Sequence, residues 1–279
     1  MNINHIYTEK ALETAAKALF AEERRIKRLD GWFLVNEITQ EVFEQYPDKS
    51  EVEKRALAQL EVARRLPLFI SKNAVFAGTQ RDAFAKSYAL INPNFKVSTF
   101  NGYCDPTAVY DDIEPNEEFT AERIEKVRNA TKNSTYVRHL SKVYEEAEAD
   151  TCEVAYFIEQ VTGHVIPDFR YALQNGLEAL IEQLERKMTY ETAERRRNQY
   201  NGMKMSLEAA LILAERYQKL ALELAGNGSE DEKRRFTLMA DTLAKVPRKG
   251  ASTLYEAVQS FIILWQAMCL EQAPNPFAF

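Results

Sequence analysis

The sequence predicts a mainly α-helical chain. Apolar residues recur at steps of three and four rather than alternating. Helix-start signatures stand at the heads of several of these runs, and glycine or proline closes others. Across the 279 residues there is no internal repeat of solenoid length and no Gly/Ser-rich or Pro-rich linker. Residues 1–279 therefore read as one unit, with N-terminal helices in 1–50 ahead of the main body in 51–279.

The periodicity predicts helices over about 9–29, 51–70, 121–147, 168–185, 204–225, 231–246 and 252–272. Ser50 with Glu53 heads the second of these in the capping-box pattern, where side chain and backbone satisfy each other's free groups. Asp150 with Glu153 has the same form and starts a helix to about Val161, after which Gly163 can take the left-handed conformation that ends it. Gly226 and Gly228 in "LAGNGSEDE" separate the fifth and sixth runs, and Ser229 with Glu232 opens the sixth. Pro247 in "KVPRKGAST" stops it, because proline has no N–H to donate and clashes with the preceding turn. Thr253 with Glu256 opens the last. Residues 71–119 break the pattern, with Gly, Pro and Asn scattered among aromatics, and read as a loop-rich layer holding one or two short strands.

On the last run Leu254, Val258, Phe261, Ile262, Trp265, Met268 and Cys269 form a broad apolar stripe, which Ile263 and Leu264 widen until little polar face remains. Such a helix normally lies in the middle of a larger protein. Here "PNPFAF" follows it, so the expectation is a further part of the fold beyond Phe279.

Composition excludes several classes. The formal charge of -6, with Lys and Arg scattered, disfavours nucleic acid and anionic membrane as partners. The N-terminus lacks the pattern of a signal peptide, and no apolar run reaches the roughly 20 residues of a membrane span. Cys104, Cys152 and Cys269 are odd in number and outside any C-x-x-C spacing, which fits a reducing compartment and a cytoplasmic protein. No phosphate-cradling glycine loop, G-x-S-x-G or H-E-x-x-H is present, and His5, His139 and His164 are too scattered to suggest a metal site. Asp105, Asp111, Asp112 and Glu114 make an acidic loop, but Pro106, Val109 and Tyr110 interrupt any calcium-loop pattern, and it reads as solvated. No metal is expected.

An ordered set of motifs resembles the N-terminal part of glycyl radical enzymes of the pyruvate formate-lyase type, in their dehydratase and lyase branch. It comprises Gly163 and His164, then a helix with an internal Gly176, then Ala214-Glu215-Arg216-Tyr217. Val246-Pro247 follows, with the helix Tyr255-Glu256-Ala257-Val258-Gln259 behind it. The resemblance covers roughly 51–279 and implies that this helical portion wraps a ten-stranded α/β barrel. It further implies a radical elimination or C–C cleavage on a small polar substrate. The complete enzyme needs a glycyl radical, installed by an S-adenosylmethionine iron-sulfur activating enzyme, and a catalytic cysteine. Both are expected in a missing C-terminal half, from the same gene or a separate chain, so this chain alone is expected to be inactive and to bind no cofactor itself. The family is often dimeric, which implies a homodimer as an option.

By the same resemblance Tyr156 forms a pocket wall, and His164 is an acid/base or hydroxyl-binding group, a role that a near-neutral pKa suits. Asn275 and Phe277, in the loop after the last helix, face substrate. Read from the residues alone, His164 is equally a helix-capping or satisfied core histidine, and Pro274-Asn275 a plain turn. The other class open to the chain is a stand-alone helical binding or scaffolding protein without catalysis.

Overall fold

The computed structural model describes residues 13, 14, 17, 30–72, 74–78, 115, 117, 118, 120–132 and 167–270. Within them the regular elements are helices: α1 (Asp30–Gln45), α2 (Glu51–Arg65), α3 (Ala121–Lys132), α4 (Phe169–Asn175), α5 (Leu177–Tyr190), α6 (Glu194–Asn227), α7 (Glu230–Lys245) and α8 (Leu254–Leu270). No strand occurs among the described residues, so the barrel implied by the resemblance is not seen in them. None of the described helices is long and apolar enough to cross a membrane.

The axis of the fold is α6, 34 residues and about 50 Å long. Its buried face runs Ala209, Ala210, Leu213, Ala214, Tyr217, Ala221 and Ala225, mostly small side chains at helical spacing. Small residues let other helices come close. At Gly202 an added Cβ would stand 2.7 Å from Val52 Cγ1 of α2, so a glycine is needed where the two helices meet. Further along, Arg216 donates to the carbonyls of Ala63 (2.6 Å) and Leu66 (2.7 Å), satisfying the open C-terminal end of α2. Burial lowers the pKa of that guanidinium. Phe236, Met239, Ala240 and Leu243 bring α7 onto the same core, and Val35 and Ile38 bring α1 onto α2. Glu37 of α1 accepts from Arg123 of α3 at 2.6 Å.

Most sequence boundaries hold within a turn, and three do not. The segment predicted over 168–185 is two helices, because Gly176, at φ +81, breaks the chain direction between α4 and α5. The helix predicted over 204–225 begins ten residues earlier, in the charged "ERRRNQY" stretch that has no apolar stripe. The run predicted over 51–70 leaves the helix at Arg65, and Leu66 and Ile70 are buried outside it. α1 was covered only by the general expectation of helices in 1–50. Of the helices predicted over 9–29 and 121–147, only residues 13, 14, 17 and 121–132 are described, and all of these are helical. The Ser50 and Ser229 capping boxes are both formed. The Thr253 box is half formed: Thr253 Oγ1 accepts from Glu256 N at 3.2 Å, while the Glu256 carboxylate turns to Ser252 N at 2.6 Å.

Candidate functional site

Tyr156, His164, Asn275 and Phe277, the four residues predicted to face substrate, lie outside the described residues, as do Gly163, the Asp150–Glu153 box and the Asp105–Glu114 loop. Within the described residues lies the framework on which the motif positions converge, centred on α8.

Within this chain α8 buries a face other than its apolar stripe. Its buried residues are Gln259, Ser260, Ile263, Gln266, Ala267 and Leu270. These recur at intervals of one, three and four, so they form one helical face. Of the predicted stripe, Leu254 is 79% exposed and Val258, Phe261, Ile262, Trp265 and Met268 are only half-buried. The surface that this face of α8 meets is rich in backbone and hydroxyl partners, which side-chain amides satisfy.

Those partners come from 74–78 and from α6. The Gln259 amide makes two bonds to one residue, accepting from Ala77 N at 2.9 Å and donating to Ala77 O at 3.0 Å, both buried. It thereby pairs with the segment as a neighbouring strand would. Tyr255 donates from its hydroxyl to Val75 O at 2.6 Å, its ring lies 4.8 Å from that of Phe76, and burial pushes its pKa up to about 12. Gly78, at φ +91, lets the segment run close by: a Cβ there would stand 3.0 Å from Gln266 Oε1 and from Ile262 Cγ2. On the other side Gln266 donates to the fully buried Tyr217 hydroxyl of α6 at 2.8 Å. Gln59 of α2 donates to Ala267 O at 3.1 Å, holding the end of α8. The buried Ser260 hydroxyl has no hydrogen-bond partner among the described residues.

A second crossing seats the turn before α8. Leu177 N donates to Pro247 O at 2.9 Å, Glu178 N to Arg248 O at 3.2 Å and Ala251 N to Leu173 O at 2.8 Å. The 246–251 turn thus supplies acceptors to the free N–H groups at the start of α5. Contact is so close that a Cβ on Gly176 would sit 2.3 Å from Arg248 O. Around it Arg248 pairs with Glu215 at 2.5 Å, Lys249 with Glu178, and Lys245 with Glu256 at 2.7 Å. The hydrogen bond from Lys249 holds the Glu178 carboxyl below its ordinary pKa, and that from Lys245 does the same for Glu256.

The recognised motifs that lie within the described residues are therefore joints of the fold. Ala214 is buried, Glu215 pairs with Arg248, Arg216 caps α2 and Tyr217 anchors α8, so Ala214–Tyr217 touches three partners at once. Sequence reasoning missed Ser260 and Gln266 as buried polar positions, and the half-buried Gln59 that holds the end of α8. A signal was available, since Gln259 and Gln266 stand seven apart, on one face of an otherwise apolar helix.

Among the described residues no group of three His, Cys, Asp or Glu could hold a metal ion. The catalytic cysteine is expected in a missing half, yet Cys269 with Glu271 has the Cys-x-Glu spacing that the resemblance associates with that cysteine. Cys269 lies in the last turn of α8 and Glu271 outside the described residues. An open groove of about 880 Å³ lies between α2, α5 and α6.

A family model described as "PFL-like: Pyruvate formate lyase-like" matches residues 2–279. No curated protein matches the chain by sequence. Among solved structures, the glycerol-bound B12-independent glycerol dehydratase from Clostridium butyricum superposes with a TM-score of 0.67 at 22% identity, over 91% of this chain and 34% of that one. A glycyl radical enzyme from Archaeoglobus fulgidus gives 0.65 at 18% identity, over 90% and 33%. The hydroxyproline dehydratase from Clostridioides difficile, with trans-4-hydroxy-L-proline bound, gives 0.61 at 19% identity, over 91% and 34%. The chain thus shares their fold over its own length and spans about a third of theirs.

Proposed function

Because the chain belongs to the pyruvate formate lyase-like family, we propose that it is the N-terminal helical portion of a glycyl radical lyase or dehydratase. The assembled enzyme acts on a small polar substrate, by radical elimination or C–C cleavage. The observation that carries this is the family match over residues 2–279. Support comes from the motif residues, which are the joints holding α8 against α6 and 74–78. The half-buried apolar side of α8, with Phe261, Ile262 and Trp265, is suited to receive a further part of the fold.

The chain's own glycines do not fit the radical site. None of its nine glycines stands in an Arg-Val-x-Gly-Tyr sequence, so no radical step is assigned to it. Its tasks are to wrap the barrel and to line the pocket. α8 presents the loop carrying Asn275 and Phe277, Tyr156 forms a wall, and His164 binds a substrate hydroxyl or exchanges its proton. The partners in this proposal are a C-terminal half, an activating enzyme and a second copy of the assembly, in the cytoplasm.

The test is reconstitution. Incubated anaerobically with an activating enzyme, S-adenosylmethionine and reductant, the chain alone should give no glycyl radical doublet in electron paramagnetic resonance. Supplied with a second chain carrying the family's cysteine and glycine regions, it should form a complex and support turnover. His164→Gln should then lower turnover about 10²-fold or more. Tyr156→Phe should weaken substrate binding by roughly 1–3 kcal/mol, the penalty for an unpaired buried polar group. A doublet on the isolated chain, or failure of the complementing chain to associate, overturns the proposal.

A further inference from the structure

We infer a further site: the groove between α2, α5 and α6 binds a medium-chain monocarboxylate. Its volume, about 880 Å³, lies within the range of small-molecule pockets, about 300–1,000 Å³. Aliphatic side chains dominate the lining, which includes Val52 and Ala56 from α2, Leu180 and Leu184 from α5, and Met203 and Leu207 from α6.

The groove has a charged end and an apolar end, which follows from how its walls run. α2 is parallel to α6, since Val52 meets Gly202 and the α2 carbonyls Ala63 and Leu66 meet Arg216. α5 is antiparallel to α6, since Lys204 pairs with Glu185 at 2.6 Å and Lys187 lies 5.8 Å from the Tyr200 ring. These registers set Lys187, Gln199 and Glu51 at one end, Arg55 in the middle at the level of Leu184, and Leu180, Leu207 and Met268 at the other end. Gln59 is at the apolar end, but its amide N–H is taken by Ala267 O, and Gln183 is bonded to the Tyr171 hydroxyl.

Arg55 on α2 and Lys187 on α5 line opposite walls of the groove, about one helical turn apart along it, and neither makes an ion pair among the described residues, whereas Glu51 lies 3.9 Å from Lys54. Two long cationic side chains on opposite walls suit a single carboxylate held between them, through charge-assisted hydrogen bonds. The unbranched tail then lies toward Leu180, Leu207 and Met268. The walls form a short groove of small-ligand size, which favours an acid of this kind over a docked helix.

The probe is decanoate, added to the full chain whose six methionines carry ¹³C-labelled methyl groups. Saturable shifts are expected at Met203 and Met268. The Arg55→Gln, Lys187→Gln double variant should bind about tenfold or more weakly, as expected for lost charge-assisted contacts. Decanol, with the same tail and no charge, should also bind more weakly. Met203→Glu changes a side chain that is 46% exposed, so the melt should be preserved and binding lost. The inference is overturned if Met203 and Met268 do not shift, if decanol equals decanoate, or if the double variant binds unchanged. It is overturned equally if an acidic amphipathic peptide shifts these methyls and decanoate does not, which would make the groove a protein-docking site. None of these readouts uses the complementing chain, so the outcome is independent of the reconstitution.

Discussion

The interface of α6 with α2 and the interface of α8 with residues 74–78 solve one problem with opposite chemistry. Between α6 and α2 the contact is made of Ala209, Ala210, Leu213 and Gly202 against Val52, Leu60 and Ala63, closed by one arginine on the last carbonyls. Between α8 and 74–78 it is made of Gln259 and Tyr255 against backbone groups, with Gln266 reaching back to Tyr217. The first holds by area and close fit, which are non-directional. The second holds by directed hydrogen bonds, which fix a register: a shift of α8 by one residue would unpair both Ala77 groups. The register-sensitive joint is the one that leads into the loop proposed to meet substrate.

The largest effect should come from the packed joint. Leu213→Ala, at a fully buried position on α6, should lower stability by about 2–5 kcal/mol, measured by urea unfolding. If the loss is under about 1 kcal/mol, far below the usual cavity cost, the α6 core is looser than described. Gln259→Leu keeps the volume and removes both partners of Ala77, and should cost about 1–3 kcal/mol, less than Leu213→Ala. A neutral or stabilising result would mean that water replaces the amide and that the contrast between the joints is one of composition only.

How far this was legible follows from the same contrast. Periodicity found the helices because burying an apolar stripe leaves a trace at every third or fourth residue, and caps marked their starts at Ser50 and Ser229. It did not mark the polar face of α8, because side-chain amides reaching groups outside the helix leave no periodic apolar trace. The Gln59, Gln259 and Gln266 bonds span 208, 182 and 49 residues respectively, and nothing local in the sequence encodes such distant partners. The split at Gly176 has a similar origin, since its cause is the approach of Arg248 and Lys249. The resemblance named Ala214–Tyr217 and Tyr255–Gln259 without saying that they are joints. The candidate site itself, at Tyr156, His164, Asn275 and Phe277, lies outside the described residues.

A smaller effect should separate the joints by pH. Tyr255 has its pKa raised by burial from 10.0 to about 12, so the folded protein holds that proton more tightly than the unfolded chain does. Its contribution is fully present below about pH 10 and is lost as the pH rises through about 12. Glu256 is shifted the other way, chiefly by its hydrogen bond from Lys245, so its contribution is present above its ordinary pKa and is lost as acid protonates it. Leu213 and its apolar neighbours do not titrate. Tyr255→Phe should flatten the alkaline limb of the stability profile, and an unchanged limb would remove Tyr255 from the α8 joint.

The smallest effect belongs to the surface pair beneath the turn. Arg248→Gln should change stability by no more than about 1 kcal/mol, because the pair with Glu215 is well exposed and screened by solvent. A larger loss would place the 246–251 turn with the directed joint instead of the solvent-screened surface.

The most direct measurement is amide hydrogen exchange at Ala77, in the wild-type chain and in Gln259→Leu. If α8 is seated by the paired bonds of Gln259, the Ala77 N–H is protected in the wild type and exchanges far faster in the variant, while amides of α6 near Leu213 keep their protection. An Ala77 amide that exchanges freely in the wild type, or one protected equally in both proteins, would contradict the account.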